Sequence, residues 1–98
     1  MDLTTVKSIY RNTAAYANKE VTLGGWIRTM RVSKNFGFIE LNDGSFFKNI
    51  QIVFEAERLK NYEEISKQNV GAALIIKGLL VETPEAKQPF EVKATQID

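Results

Sequence analysis

Histidine and cysteine are absent from this chain. Their absence removes a histidine acid–base, a thiol nucleophile, a disulfide framework and every soft-ligand metal site. Charge of one sign is also lacking. Thirteen Lys+Arg face twelve Asp+Glu for a net +1, so no overall basic field binds polyanions indiscriminately, and such a partner must be gripped locally. The first twenty residues carry Asp2, Lys7, Arg11, Lys19 and Glu20 among short apolar runs. That pattern excludes a signal peptide or membrane span there, and a soluble, cytoplasmic chain is expected. What is present is 98 residues with 44% hydrophobic and 26% charged side chains. The composition is globular, and the length suits one domain over residues 1–98 but not a separate substrate domain.

Hydrophobic spacing divides the chain into elements. Residues 4–18 set Val6, Ile9, Tyr10 and Ala14 three and four apart behind a Thr4 or Thr5 cap, which predicts a short amphipathic helix. A barrel of strands is expected over about residues 20–98. Residues 20–31 alternate Val21, Leu23 and Ile27 with polar neighbours, and Gly24-Gly25 inside the run predicts a bulge or sharp bend. A second strand, 36–41, is followed by the turn signal Asn42-Asp43-Gly44-Ser45 and a third strand, 50–54. Residues 55–69 carry Leu59, Tyr62 and Ile65 at helical spacing, predicting an irregular helix or two short ones. The apolar run 72–82, interrupted by Gly78, and residues 90–97 complete the set, and both prolines mark a loop at 83–89. Helix, three strands, helix, two strands is the order of an OB-fold, a five-stranded Greek-key barrel.

Strand parity then separates core from surface. Gly37, Ile39 and Leu41 turn inward and leave Phe36, Phe38 and Glu40 outside. Ile50, Ile52 and Phe54 turn inward and leave Gln51 and Val53 outside. In the last strand Phe90, Val92 and Ala94 turn inward, and Glu91, Lys93 and Thr95 turn outward. One outer face thus gathers Phe38, Gln51 and Glu91. An exposed ring stacks on an unpaired base, and Gln and Glu bond base edges. Arg28, Arg31 and Lys34 would hold phosphates or a further base. Simple alternation puts Arg31 in phase with Ile27, however, so a bulge or the strand end must intervene before Arg31 meets a ligand. Trp26 is assigned to barrel packing, and Phe46-Phe47 to cover. Residues 1–48 hold seven basic and four acidic side chains, and residues 49–98 six and eight. Such modest polarity suits a ligand held by its bases.

The segment VTLGGWIRTMRVSKNFGFIELNDGS, with IQIVF and VETPEAKQPFEVKA after it, resembles the N-terminal anticodon-binding domain of asparaginyl-tRNA synthetase. That family is in the aspartyl/asparaginyl/lysyl subgroup of class II aminoacyl-tRNA synthetases. The resemblance covers nearly the whole chain. It implies that Phe38 is the stacking ring, that Gln51 reads the central uracil, that Glu91 reads the first-base guanine, and that Arg31 contacts the third base or its backbone. Asparagine and aspartate anticodons differ only in the third base, and the 82–89 loop, with Pro84 and Lys87, is the candidate for telling them apart. A full synthetase of this family continues into a catalytic domain, and none of its signature motifs occurs here. The resemblance therefore implies ATP, magnesium and homodimerisation for the parent ligase. For this chain it implies a monomeric module that binds the anticodon loop of tRNA(Asn), with no catalytic residues, metal or cofactor of its own and no membrane partner. A general single-strand binder and a protein-docking module built on Phe36, Phe46, Phe47 and Tyr62 are the alternatives.

Overall fold

The computed structural model describes residues 3–83 and 90–98; Pro84 and Lys87 lie outside the described residues. Five strands close into one barrel: β1 (Glu20–Val32), β2 (Phe36–Asn42), β3 (Ile50–Glu55), β4 (Ala73–Glu82) and β5 (Phe90–Ile97). Their order around the barrel is β1-β2-β3-β5-β4. Every pairing is antiparallel except β3 with β5. This is the OB-fold expected from the order of elements.

β1 is long because it serves two neighbours. Residues Glu20 to Trp26 pair with β4, and Trp26 to Val32 pair with β2. The Gly24-Gly25 pair is not the bulge that the sequence predicts. Both residues stay in regular register with β4, as Gly24↔Ile75 and Gly25↔Leu74. At Gly25 an added Cβ would lie 2.4 Å from the Asn42 carbonyl oxygen, so this glycine permits a close backbone approach. The bulge lies further on. Ile27 pairs with Leu41 and Thr29 with Glu40, which leaves Arg28 as the extra residue. A second irregularity in the β4–β5 ladder makes Thr95 extra, between Gly78↔Ala94 and Lys77↔Gln96.

Among the described residues no charged or polar side chain is buried in the interior. Val21, Leu23, Ile27, Ile39, Leu41, Ile50, Ile52, Phe54, Ile76, Leu80, Phe90 and Val92 are buried together. Gly37 pairs with Phe54, whose ring fills the space a Gly37 side chain would need; a Cβ there would lie 2.4 Å from Cζ of Phe54. The two barrel ends are closed by helices. At the end where β2 turns into β3, α1 (Val6–Arg11) is capped by the Thr5 side chain and buries Val6 and Ile9. The Asp43 carboxylate accepts from the Val6 N–H at 2.9 Å, which pins the helix start to the turn. The predicted 4–18 helix is broken at Asn12, whose φ of −145° is not helical, and α2 (Thr13–Tyr16) follows. At the opposite end α3 (Tyr62–Ser66) buries Tyr62 and Ile65. Tyr62 packs on Phe54 and donates to the Ser33 carbonyl at 2.8 Å. Residues 56–61 form turns, so the helix is much shorter than the 55–69 segment.

Candidate nucleic-acid interface

β2, β3 and β5 have the parity read from the sequence, with burial alternating along β2 and β3 and along β5 as far as the extra residue Thr95. Phe38, Gln51 and Glu91 are each half-buried, on the outside of the barrel. The bulge at Arg28 resolves the phase of β1. Because one residue is extra, Met30 takes the inward position opposite Ile39, and Arg31 moves outside, directly opposite Phe38.

Two rows of side chains cross this face. The first runs Arg31–Phe38–Val53–Lys93, each joined to the next by strand register. The second runs Thr29–Glu40–Gln51. Gln51 and Glu91 each precede by one residue the paired Ile52 and Val92 of the parallel β3 and β5, so Glu91 extends the second row. One row is thus aromatic and cationic, and the other is rich in acceptors.

The Phe38 ring is held from two sides. The Arg31 guanidinium carbon is 5.5 Å from its centroid, and Phe36 meets it edge to face at 5.4 Å and 88°. A ring fixed in this way is a ready stacking surface, because little side-chain freedom remains to be lost on binding. The cation above it can face a phosphate while staying on the ring. The second row offers carboxylates to base N–H groups and a Gln amide that both donates and accepts.

Asn49, in the loop before β3, organises the second row. Its Nδ2 donates to Glu40 Oε2 at 3.2 Å, and its Oδ1 accepts from Asn42 at 2.9 Å. Its carbonyl accepts from the Tyr10 hydroxyl at 2.7 Å. Burial, and secondarily the charge of Glu40, raises the Tyr10 phenol above its ordinary pKa.

Arg28 and Lys34 are not in either row. Arg28 is exposed at the bulge. Lys34 sits in the β1–β2 turn and lines a cleft against α3 with Lys60 and Lys67. Trp26 is not barrel packing: it is 37% exposed and lies over Gly44, where an added Cβ would be 3.4 Å from the indole. Phe46 does serve as cover, packed against Tyr10, whereas Phe47 is 80% exposed.

The tRNA anti-codon family, described as an OB-fold nucleic acid binding domain, matches residues 21–98. The chain belongs to that family. The OB-fold domain is 64% identical over 98 residues to an asparagine–tRNA ligase of Acetivibrio thermocellus, covering 100% of this chain and 21% of that relative. It is 66% identical over 97 residues to an asparagine–tRNA ligase of Desulfitobacterium hafniense, covering 99% of this chain and 21% of that one. The chain therefore spans about a fifth of the length of these curated relatives. Among solved structures, asparaginyl-tRNA synthetase from Pyrococcus horikoshii in complex with asparaginyl-adenylate superposes with a TM-score of 0.85 over 100% of this chain and 22% of that one. At 17% identity that likeness concerns the fold alone.

Among the described residues of the OB-fold domain, no group of three acidic side chains is placed to hold a metal ion, and no helix is long and apolar enough to cross a membrane. Sequence reasoning assigned no role to Glu40, Lys93 or Asn49. Parity alone places Glu40 and Lys93 on the Phe38 face. Asn49 carries no such signal, because its role depends on how the β2–β3 loop folds back.

Proposed function

We propose that this OB-fold domain is the anticodon-binding part of an asparagine–tRNA ligase and holds the opened anticodon loop of tRNA(Asn) on its β1–β2–β3–β5 face. The observation that carries the reading is the pair of parallel rows. Arg31 and Phe38 stand directly opposite each other in the first, and Glu40 and Gln51 do so in the second. One unpaired base stacks on Phe38. Gln51 reads the central uracil through its N3–H and O4, and Glu91 accepts from the N1–H and N2 amino group of the first-base guanine. Arg31 serves the third base or its backbone. Arg28, at the bulge before Arg31, and Lys34, in the turn after it, serve the loop phosphates. The segment with Pro84 and Lys87 is proposed for the third base. Identity of 64% across the full chain to an asparagine–tRNA ligase supports asparagine as the cognate amino acid.

The domain itself performs recognition without catalysis and needs no cofactor. ATP, magnesium, the joining of asparagine to tRNA and homodimerisation belong to the whole cytoplasmic ligase under this reading, and the module alone is monomeric. Fluorescence anisotropy with labelled stem-loops tests it. A GUU loop should bind more tightly than loops altered at the first or second base, by about 1–3 kcal/mol per change. Equal affinity for all loops would overturn the reading.

A further inference from the structure

A glutamine amide by itself cannot tell uracil from cytosine. Uracil presents a donor at N3 and an acceptor at O4, and cytosine presents an acceptor at N3 and a donor at N4. A primary amide satisfies either edge by a half-turn about its last bond, because it has one accepting and one donating side. If Gln51 reads the central base, something must fix which way its amide faces.

We propose that Glu40 is the positioning residue that sets the orientation of the Gln51 amide and thereby selects uracil over cytosine. The inference rests on the reading that Gln51 meets the central base. Glu40 and Gln51 are directly opposite each other on antiparallel β2 and β3, which brings their Cβ atoms to about 4.5–5.5 Å. An ionised carboxylate can only accept. Beside Gln51 it draws the Nε2 group toward itself through the N–H that points away from the base. The carbonyl oxygen is then turned to the side where N3–H of uracil can donate, and the remaining N–H faces O4. Cytosine in the same place would set its N3 lone pair against the amide oxygen.

The carboxylate is itself directed by a chain of hydrogen bonds of fixed polarity. It begins at the backbone N–H of Gly44, which can only donate, and which bonds Asn42 Oδ1 at 2.8 Å. That contact makes Nδ2 of Asn42 the donor to Asn49 Oδ1 at 2.9 Å. Nδ2 of Asn49 is then the donor to Glu40 Oε2 at 3.2 Å. The Asn49 backbone is tied down through its carbonyl by the Tyr10 hydroxyl at 2.7 Å. One oxygen of Glu40 is thus held by the β2–β3 loop, and Oε1 has Gln51 across the strand pair as an available donor. Reversing Asn42 would leave the Gly44 N–H without its acceptor, and reversing Asn49 would set its Nδ2 against that of Asn42.

The test is the ratio of affinities for two stem-loops that differ only in having U or C at the central position. The wild-type chain should prefer U by on the order of tenfold. Glu40→Gln retains size and gives its amide oxygen to Asn49 Nδ2, so its own Nε2 group faces Gln51 as a donor where the carboxylate could only accept. The U-to-C ratio should then fall to about twofold or less, chiefly through tighter binding of the C loop. Phe38→Ala should weaken both loops and leave the ratio in place. Without RNA, the Gln51 side-chain amide protons should shift in Glu40→Gln in a 15N-resolved spectrum whose backbone peaks away from β2 and β3 are unmoved. A wild-type preference for U that survives in Glu40→Gln would overturn this proposal alone. Wild-type binding without base preference, or no binding, would overturn the anticodon reading and this inference with it.

Discussion

Arg31 stands directly across the β1–β2 ladder from Phe38, its guanidinium carbon 5.5 Å from the ring centroid, and it does so because Arg28 is an extra residue in β1. Without that bulge, alternation from Ile27 would turn Arg31 toward the buried Ile39 and Leu41, where an unpaired guanidinium would be costly. A single inserted position therefore moves a cation from the barrel interior to the face that also carries Gln51 and Glu91. In the proposed function it is the step that sets a cation beside the stacking ring.

Removing the stacking ring should cost affinity rather than stability. Phe38 is half-buried on the outer face, and the Phe54, Ile39 and Ile52 core beneath it does not depend on it. Phe38→Ala should weaken binding of a GUU stem-loop by about 1–3 kcal/mol. Anisotropy titration measures the loss, and unchanged affinity would remove Phe38 from the interface.

The opposite outcome is expected one residue earlier. Gly37 lies under the Phe54 ring, with no room for a methyl group. Gly37→Ala should destabilise the chain by about 1–3 kcal/mol through overpacking, read as a lower urea midpoint with an unchanged slope. A variant as stable as wild type would show that the Phe54 ring can move aside.

Alkaline pH should weaken the seal between α1 and the β2–β3 loop. Burial first and the Glu40 charge second raise the Tyr10 phenol above 10.0, so the folded chain holds that proton more tightly than the unfolded chain does. The stability that follows from the shift is complete below the unfolded pKa and is lost as pH rises through the folded one. Ionisation also removes the hydrogen bond that Tyr10 donates to Asn49. Tyr10→Phe should start less stable at neutral pH by about 0.5–1.5 kcal/mol and lose less as pH rises above the ordinary phenol value of 10.0. Urea melts across that rise would show the two stabilities converging; parallel curves would contradict the assignment.

Period-two alternation made the outer positions of Phe38, Gln51 and Glu91 legible in the sequence, because β2, β3 and β5 each bury one face and run regularly through those residues. The order of elements likewise led to the barrel. The bulge was not legible at its true place. Gly24-Gly25 looks like a bend, yet it keeps its register with β4, and only the pairing of β1 with β2 reveals Arg28 as the extra residue. Trp26 has the composition of a core residue but falls where β1 passes from one neighbour to the other and lies outside over Gly44. The Asn42–Asn49–Glu40 relay depends on a loop closing back on a strand, and side-chain spacing along the chain carries no trace of that closure.

Whether the β1–β2–β3–β5 face reads an anticodon is decided by an amide-resolved NMR titration of this chain at fixed moderate salt. One titrant is a stem-loop with GUU in its loop, and the other has the central U replaced by A. Shifts should concentrate at Arg31, Phe38, Gln51 and Glu91 with the GUU loop and be weak or absent with the other. Equal shifts with both loops would make the face a general single-strand surface, and no shifts with either would contradict the claim.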